Sequence, residues 1–174
     1  MSGRRRKYLD DYQLAEDGTY QYQGRIWHWA DQAERRSFLR AAWTLLGIAL
    51  ACLVVAGFLP LPPSGLAAFA LVPYAAALVA VALTVTCLVK ITREGTDVRD
   101  YVYVSSVLGL RPRLVIGALL AGVSALGEVA CIVTSLVQGE PLSWPAPVFV
   151  ACLATCCGAL WLLRRRAADL TFTS

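Results

Sequence analysis

Residues 114–137 read LVIGALLAGVSALGEVACIVTSLV, an apolar run with a single ionisable residue, Glu128. An α-helix rises about 1.5 Å per residue, so about 20 residues cross the ~30 Å hydrocarbon core of a bilayer. The run therefore predicts a transmembrane helix. Stepping from Glu128 by three and four reaches Gly117, Ala121, Ser124, Cys131 and Ser135, a stripe of small or polar side chains at helical spacing. Leu, Ile and Val dominate the rest of the helix surface, which suits lipid.

Three further apolar runs lie outward from it, at about 41–59, 66–89 and 146–163. Pro60, Pro62, Pro63, Ser64 and Gly65 make an uncharged turn between the first two. Residues 138–145, with Glu140 and Pro141, make a second short turn, and 90–113 form a polar connector. Pro73 lies near the start of the second run, where a helix tolerates it best. The pattern predicts an all-α integral membrane protein, its four transmembrane helices arranged as two antiparallel hairpins in a compact bundle. A small polar segment at 1–40 precedes them and a short tail at 164–174 follows.

Composition agrees. The 174-residue chain is 57% hydrophobic and 16% charged, where soluble domains carry about 25% charge. The net charge of +4 is no nucleic-acid footprint, because the basic residues cluster beside the expected membrane boundaries. They are Arg4 to Lys7, Arg25, Arg35, Arg36 and Arg40 before the first span, Lys90, Arg93, Arg99, Arg111 and Arg113 in the connector, and Arg164 to Arg166 after the last. The turns at 60–65 and 138–145 hold no Lys or Arg. Basic residues stay on the cytoplasmic side of short loops. Both termini and the connector are thus expected in the cytoplasm, and the protein in a plasma (inner) membrane of bacterial type. Trp43 and Trp161 then mark the inner interface and Trp144 the outer one. Arg35-Arg36 ahead of an apolar run has the look of an export signal, but the long stretch before it and the three spans after it predict an uncleaved anchor.

The expected interior carries little chemistry. Small-residue stripes occur at Thr44, Gly47 and Ala51, at Ala77, Ala80, Thr84 and Cys87, and at Cys152, Thr155, Cys156 and Ala159. No Lys, Arg or His falls within a span, so Glu128 lacks a basic partner there. A carboxyl at that depth should face the bundle interior, a partner helix or water, with Cys152 and Thr155 at about its level. Glu128 reads either as a hydrogen-bonded structural residue or as a proton- or cation-coupling site. The six cysteines all lie in spans, with no C-x-x-C pair, and read as small apolar residues. His28 is the sole histidine, and no P-loop, dinucleotide, serine-hydrolase or zinc-protease motif occurs. No cofactor, metal site or catalytic residue is expected.

Two polar segments remain. In 8–30, Tyr20, Tyr22, Ile26, Trp27, His28 and Trp29 give short β-favouring runs beside turn-like Asp17-Gly18 and Gln23-Gly24, which fits a hairpin or three-strand meander. In the connector, Thr96 or Asp97 fits the cap of a helix ending at Gly109, whereas Tyr101 to Val104 fits equally a strand pairing with the N-terminal segment. Trp27, Trp29, Tyr101 and Tyr103 are the expected cytoplasmic contact residues, toward anionic headgroups or a protein. The reading that best joins these observations is a non-enzymatic accessory or modulatory subunit of a membrane complex, partnered by the bilayer and by a larger membrane protein or a second copy. The alternative is a small oligomeric proton- or cation-coupled transporter or channel using Glu128. A membrane enzyme acting on lipid or quinone lacks a set of catalytic side chains.

Overall fold

The structure, a computed structural model, describes residues 12–14, 20–22, 24–60, 67–139, 141, 143–170 and 172–173. It is mostly helical. Helix α1 spans Gln32–Gly57, α2 Ala67–Arg93, α3 Asp100–Val137 and α4 Pro145–Ala168, and each is long and apolar enough to cross a membrane. The turn expected at 60–65 lies, apart from Pro60, outside the described residues, as does Glu140.

Each helix end has a local cause. Asp31 caps α1, its extended backbone turning the carboxylate onto the Ala33 N–H at 2.9 Å. The last turn of α1 tightens as the Phe58 and Leu59 N–H groups donate to Val55 and Ala56, three residues back, before Pro60. Gly95 and Gly139, both at φ 77°, follow α2 and α3 in the left-handed conformation that lets a chain leave a helix. Pro145 opens α4 in the first turn, where its missing N–H is no loss. Arg111 of α3 reaches the other end of α4, donating from Nε to Ala167 O at 3.0 Å and from Nη2 to Ala168 O at 3.1 Å. A cation there satisfies orphan carbonyls and opposes the helix dipole.

Helix α3 packs extensively on both α2 and α4, α4 packs on α1, and α1 meets α2 over a smaller area. Neighbours run antiparallel. Ser124, Gly117 and Arg113 of α3 meet Ala70, Ala80 and Cys87 of α2 in reverse order, while Gly117 and Arg111 meet Leu160 and Ala167 of α4. Small residues hold the interior of α2 and α3, with Ala77, Ala80, Thr84, Gly117, Ala121 and Ser124 all buried. Large apolar side chains cover much of the outside, among them Val54, Val72, Val79, Leu119, Leu126 and Val133. An exterior of that kind matches lipid rather than water.

The stripe read at Thr44, Gly47 and Ala51 points outward. The buried face of α1 is instead Phe38, Ala42, Leu46, Ala49, Leu53 and Ala56. The reason is the neighbour: α4 presents Phe149, Leu153, Leu160 and Leu163, and bulky residues interdigitate with an alternating Ala/Leu face. Helix α1 also takes in 32–40, and α3 takes in most of the connector, including a π-helical stretch at Tyr103–Val107 where the Leu108 N–H reaches back to Tyr103 O.

Among the described residues, five short strands complete the fold. β1 (Tyr12–Leu14) pairs antiparallel with β2 (Tyr20–Tyr22). β3 (Ile26–Trp29) is the centre of a second sheet, between β4 (Asp97–Arg99) and β5 (Phe172–Thr173), both antiparallel to it. The register sets Trp27 opposite Val98 and Trp29 opposite Phe172. The connector pairs with the N-terminal segment through 97–99 rather than 101–104. Tyr101 to Val104 is helical, and the helix starts after Arg99 and runs on through Gly109 to Val137. The tail supplies a strand that the sequence did not announce.

The packing predicts opposite outcomes on two faces of α1. Ala42→Leu inserts volume against α4 and should cost about 1–3 kcal/mol, whereas Ala51→Leu on the exposed face should leave thermal unfolding in detergent unchanged. Equal effects would sink the assignment of the buried face.

Candidate functional site

The interior polar site is built where the start of α2 crosses the far half of α3. Gly127 makes the approach close: a Cβ there would lie 2.9 Å from Phe69 O and 3.2 Å from Ala70 N. One turn away, the Ser124 hydroxyl donates to Ala70 O at 2.6 Å. Pro73 sits in the second turn of α2 rather than the first, since the helix begins at Ala67. Its missing N–H leaves Phe69 O without its helical donor. A freed carbonyl therefore faces α3 one residue before Glu128.

Glu128 is 4% exposed and forms no hydrogen bond or ion pair with a described residue. It shares its buried face with Gly117, Ala121, Ser124 and Cys131, and Ser135 is half-buried one turn further on. In its neutral form the carboxyl carries one O–H donor, and the freed Phe69 O lies against Gly127, the residue before Glu128 in the chain. Tyr74 closes the same end of the bundle. Its hydroxyl donates to Leu53 O of α1 at 2.8 Å and its ring lies 5.8 Å from Phe149 of α4.

Cys152 and Thr155 do not join this site. Thr155 is exposed and its hydroxyl donates to Ala151 O of its own helix at 2.8 Å. Cys152 is half-buried beside Cys52 of α1, near Cys156. Equal depth did not make them neighbours of Glu128, because side chains on α4 point around the helix and these turn toward α1 or outward. None of the six cysteines forms a disulfide, and among the described residues no three His, Cys, Asp or Glu side chains gather as a metal site.

The second polar assembly lies at the opposite end. Trp27 stacks on Tyr103 at 4.3 Å between centroids, nearly parallel, and donates from Nε1 to Asp100 Oδ1 at 2.8 Å. The Arg25 guanidinium covers Trp27 at 5.1 Å. Phe172 of the tail packs edge-on to Tyr103 at 5.2 Å and against Trp29 at 4.6 Å. Trp29 is only 7% exposed and also touches Phe38 of α1, so it joins the sheet to the bundle. Tyr101 donates to Glu94 Oε1 at 3.4 Å, and Trp27, Tyr101 and Tyr103 remain half-exposed. His28 meets Asp97 at 3.0 Å on the surface. Three distant parts of the chain thus share one aromatic cap.

Sequence reasoning missed three residues here. Gly127 is one of several glycines and nothing local marks it. The consequence of Pro73 depended on where α2 starts. Phe172 sits in a short tail with no periodicity to read.

Gly127→Ala should push α2 off α3 and break the Ser124–Ala70 contact, costing about 1–3 kcal/mol. Gly122→Ala, where a Cβ meets nothing within 4 Å, should be neutral or mildly stabilising in the same thermal unfolding series. Compared with models of known families, with curated proteins and with solved structures, the chain shows no match to any of them, so its reading rests on its own geometry.

Proposed function

We propose that this protein is a small, non-enzymatic subunit or modulator of a membrane complex that works through its aromatic cap. The convergence of N-terminal segment, connector and tail into one sheet at one end of the bundle carries this reading. The four helices cross the bilayer as two antiparallel hairpins. The capped end, which holds the basic clusters, faces the cytoplasm of a cell whose plasma membrane holds the protein. Trp144 and Trp161 support the crossing: both are exposed and they stand roughly 26 Å apart along α4, near the thickness of the hydrocarbon core. In the sequence, short uncharged or acidic links join α1 to α2 and α3 to α4 at the far side, which favours the cap as the face for a partner protein or a second copy.

The test is extraction of the full chain from its own membranes in mild detergent, with identification of what co-purifies. A stoichiometric partner lost on Trp27→Ala supports the reading, and a lone monomer overturns it. Crossing is checked separately. The protein should stay in carbonate-washed membranes, and Ser143→Cys should react with an impermeant maleimide on intact cells while Ser2→Cys reacts only after lysis.

A second reading has its own observation. Glu128 is buried and unpaired with any described residue, and the residue before it, Gly127, packs against the carbonyl freed by Pro73. A buried carboxyl of this kind can hold a proton or a small cation in transit. On that reading Glu128→Gln abolishes ion flux in liposomes. On the accessory reading Gln keeps the hydrogen-bonding capacity and partner binding is unaffected.

A further inference from the structure

Where α1 begins and α4 ends, an open groove of about 440 Å³ runs along the surface. Its walls are Ala33, Arg36, Ser37, Arg40 and Ala41 of α1 and Arg166 of α4. Arg36 and Arg40 lie one turn apart on one helix face, and antiparallel packing brings Arg166 in from across the groove. All three are exposed and none forms an ion pair with a described residue. Like charges at this spacing repel, so the cluster is destabilising unless an anion sits among them. The alanines leave room for one. Ser37 lines the same groove, and its hydroxyl has no hydrogen bond to a described residue. Among the described residues, Glu34 and Asp169 line a smaller neighbouring groove that shares Ser37 and Arg166 with this one, and neither lines the groove itself.

The position of the cluster along the helices selects the anion. Arg40 is one turn before Trp43 and Arg166 is a turn and a half after Trp161, both tryptophans being exposed on the helix surface. Tryptophans mark the level where acyl chains give way to headgroups. The guanidiniums therefore stand at the phosphate level. Directly below, at helical spacing, come the exposed Ile48 on the Arg40 face of α1 and the exposed Leu162 on the Arg166 face of α4. Guanidinium groups match phosphate oxygens two at a time.

We propose that this groove is a headgroup site for one anionic phospholipid. Arg36, Arg40 and Arg166 hold its phosphate, Ser37 donates a hydrogen bond, and an acyl chain lies along Ile48 and Leu162. The site rests on the membrane-crossing reading above and is independent of any protein partner. It also has a structural consequence, because the lipid ties α1 to the end of α4 from which the tail departs to form β5.

The test is native mass spectrometry of the full-length protein in a mild non-ionic detergent, titrated with phosphatidylglycerol or phosphatidylcholine. One phosphatidylglycerol should be retained in preference to phosphatidylcholine. The triple variant Arg36→Gln, Arg40→Gln, Arg166→Gln should lose at least about tenfold in that affinity, each basic residue near a headgroup contributing appreciably. A control of equal charge change, Lys90→Gln, Arg93→Gln, Arg165→Gln, should retain it. If the triple variant fails to fold, Arg166→Gln alone should still lower retention about threefold. Equal loss in groove and control variants, or equal retention of the zwitterionic lipid, overturns the site. Displacement by millimolar inorganic phosphate would assign the groove to a soluble anion and also overturn it. Loss of lipid selectivity from a chain that survives the carbonate wash rejects the groove alone. Loss of the chain in that wash rejects the crossing itself.

Discussion

The close approach of α2 and α4 to the small-residue face of α3 is the constraint on which the rest depends. Gly117 lies against Leu160 on one side and Ala80 on the other, and Gly127 lies against the backbone of Phe69 and Ala70. In a hydrocarbon environment, water exclusion gives helices no reason to associate, and contact area and hydrogen bonds must do so. Both scale with proximity. Removing side chains from one face of α3 brings two neighbours within reach at once, and α1 is then held chiefly through α4.

Closeness also sets the polar chemistry of the interior. Ser124, Thr84, Thr134 and Tyr74 all donate to backbone carbonyls within the bundle. A buried hydroxyl without a partner is costly, and the helix backbone offers acceptors at no extra conformational expense. Glu128 is the exception, since no described residue bonds to it. It follows Gly127, which packs against the carbonyl that Pro73 deprives of a donor. That unpaired state is what the alternative proposal rests on, while the principal proposal rests on the cap.

The cap imposes a second dependence. β3 is central in its sheet, yet its two neighbours come from the middle of the chain and from its end. Both pairings join segments far apart in the chain, so packed helices lower the loop-closure cost of forming the cap. Trp29 carries the link, being packed on Phe38 of α1 and Phe172 of the tail. Its Nε1 and the Arg35 Nε are buried without an acceptor among the described residues, a sign that apolar contact rather than polar pairing dominates this junction.

The four apolar helices, the small and polar face of α3 and the clustering of basic residues were legible in the amino-acid sequence, because hydrophobic length, periodicity and charge are local properties. The sequence alone also marked the β-favouring character of residues 26–29. What they pair with was decided by the tertiary structure, as pairing is a matter of which distant segments the bundle brings alongside. The same holds for α1, where Thr44, Gly47 and Ala51 look like a packing stripe and face outward because α4 sits on the other side. It holds for Gly127 and Pro73, whose importance depends on a backbone crossing that no single helix contains. Arg36, Arg40 and Arg166 looked like two separate boundary signals, and antiparallel packing of α1 on α4 made them one groove. Local sequence fixes what each segment is, and only the folded chain fixes what each segment faces.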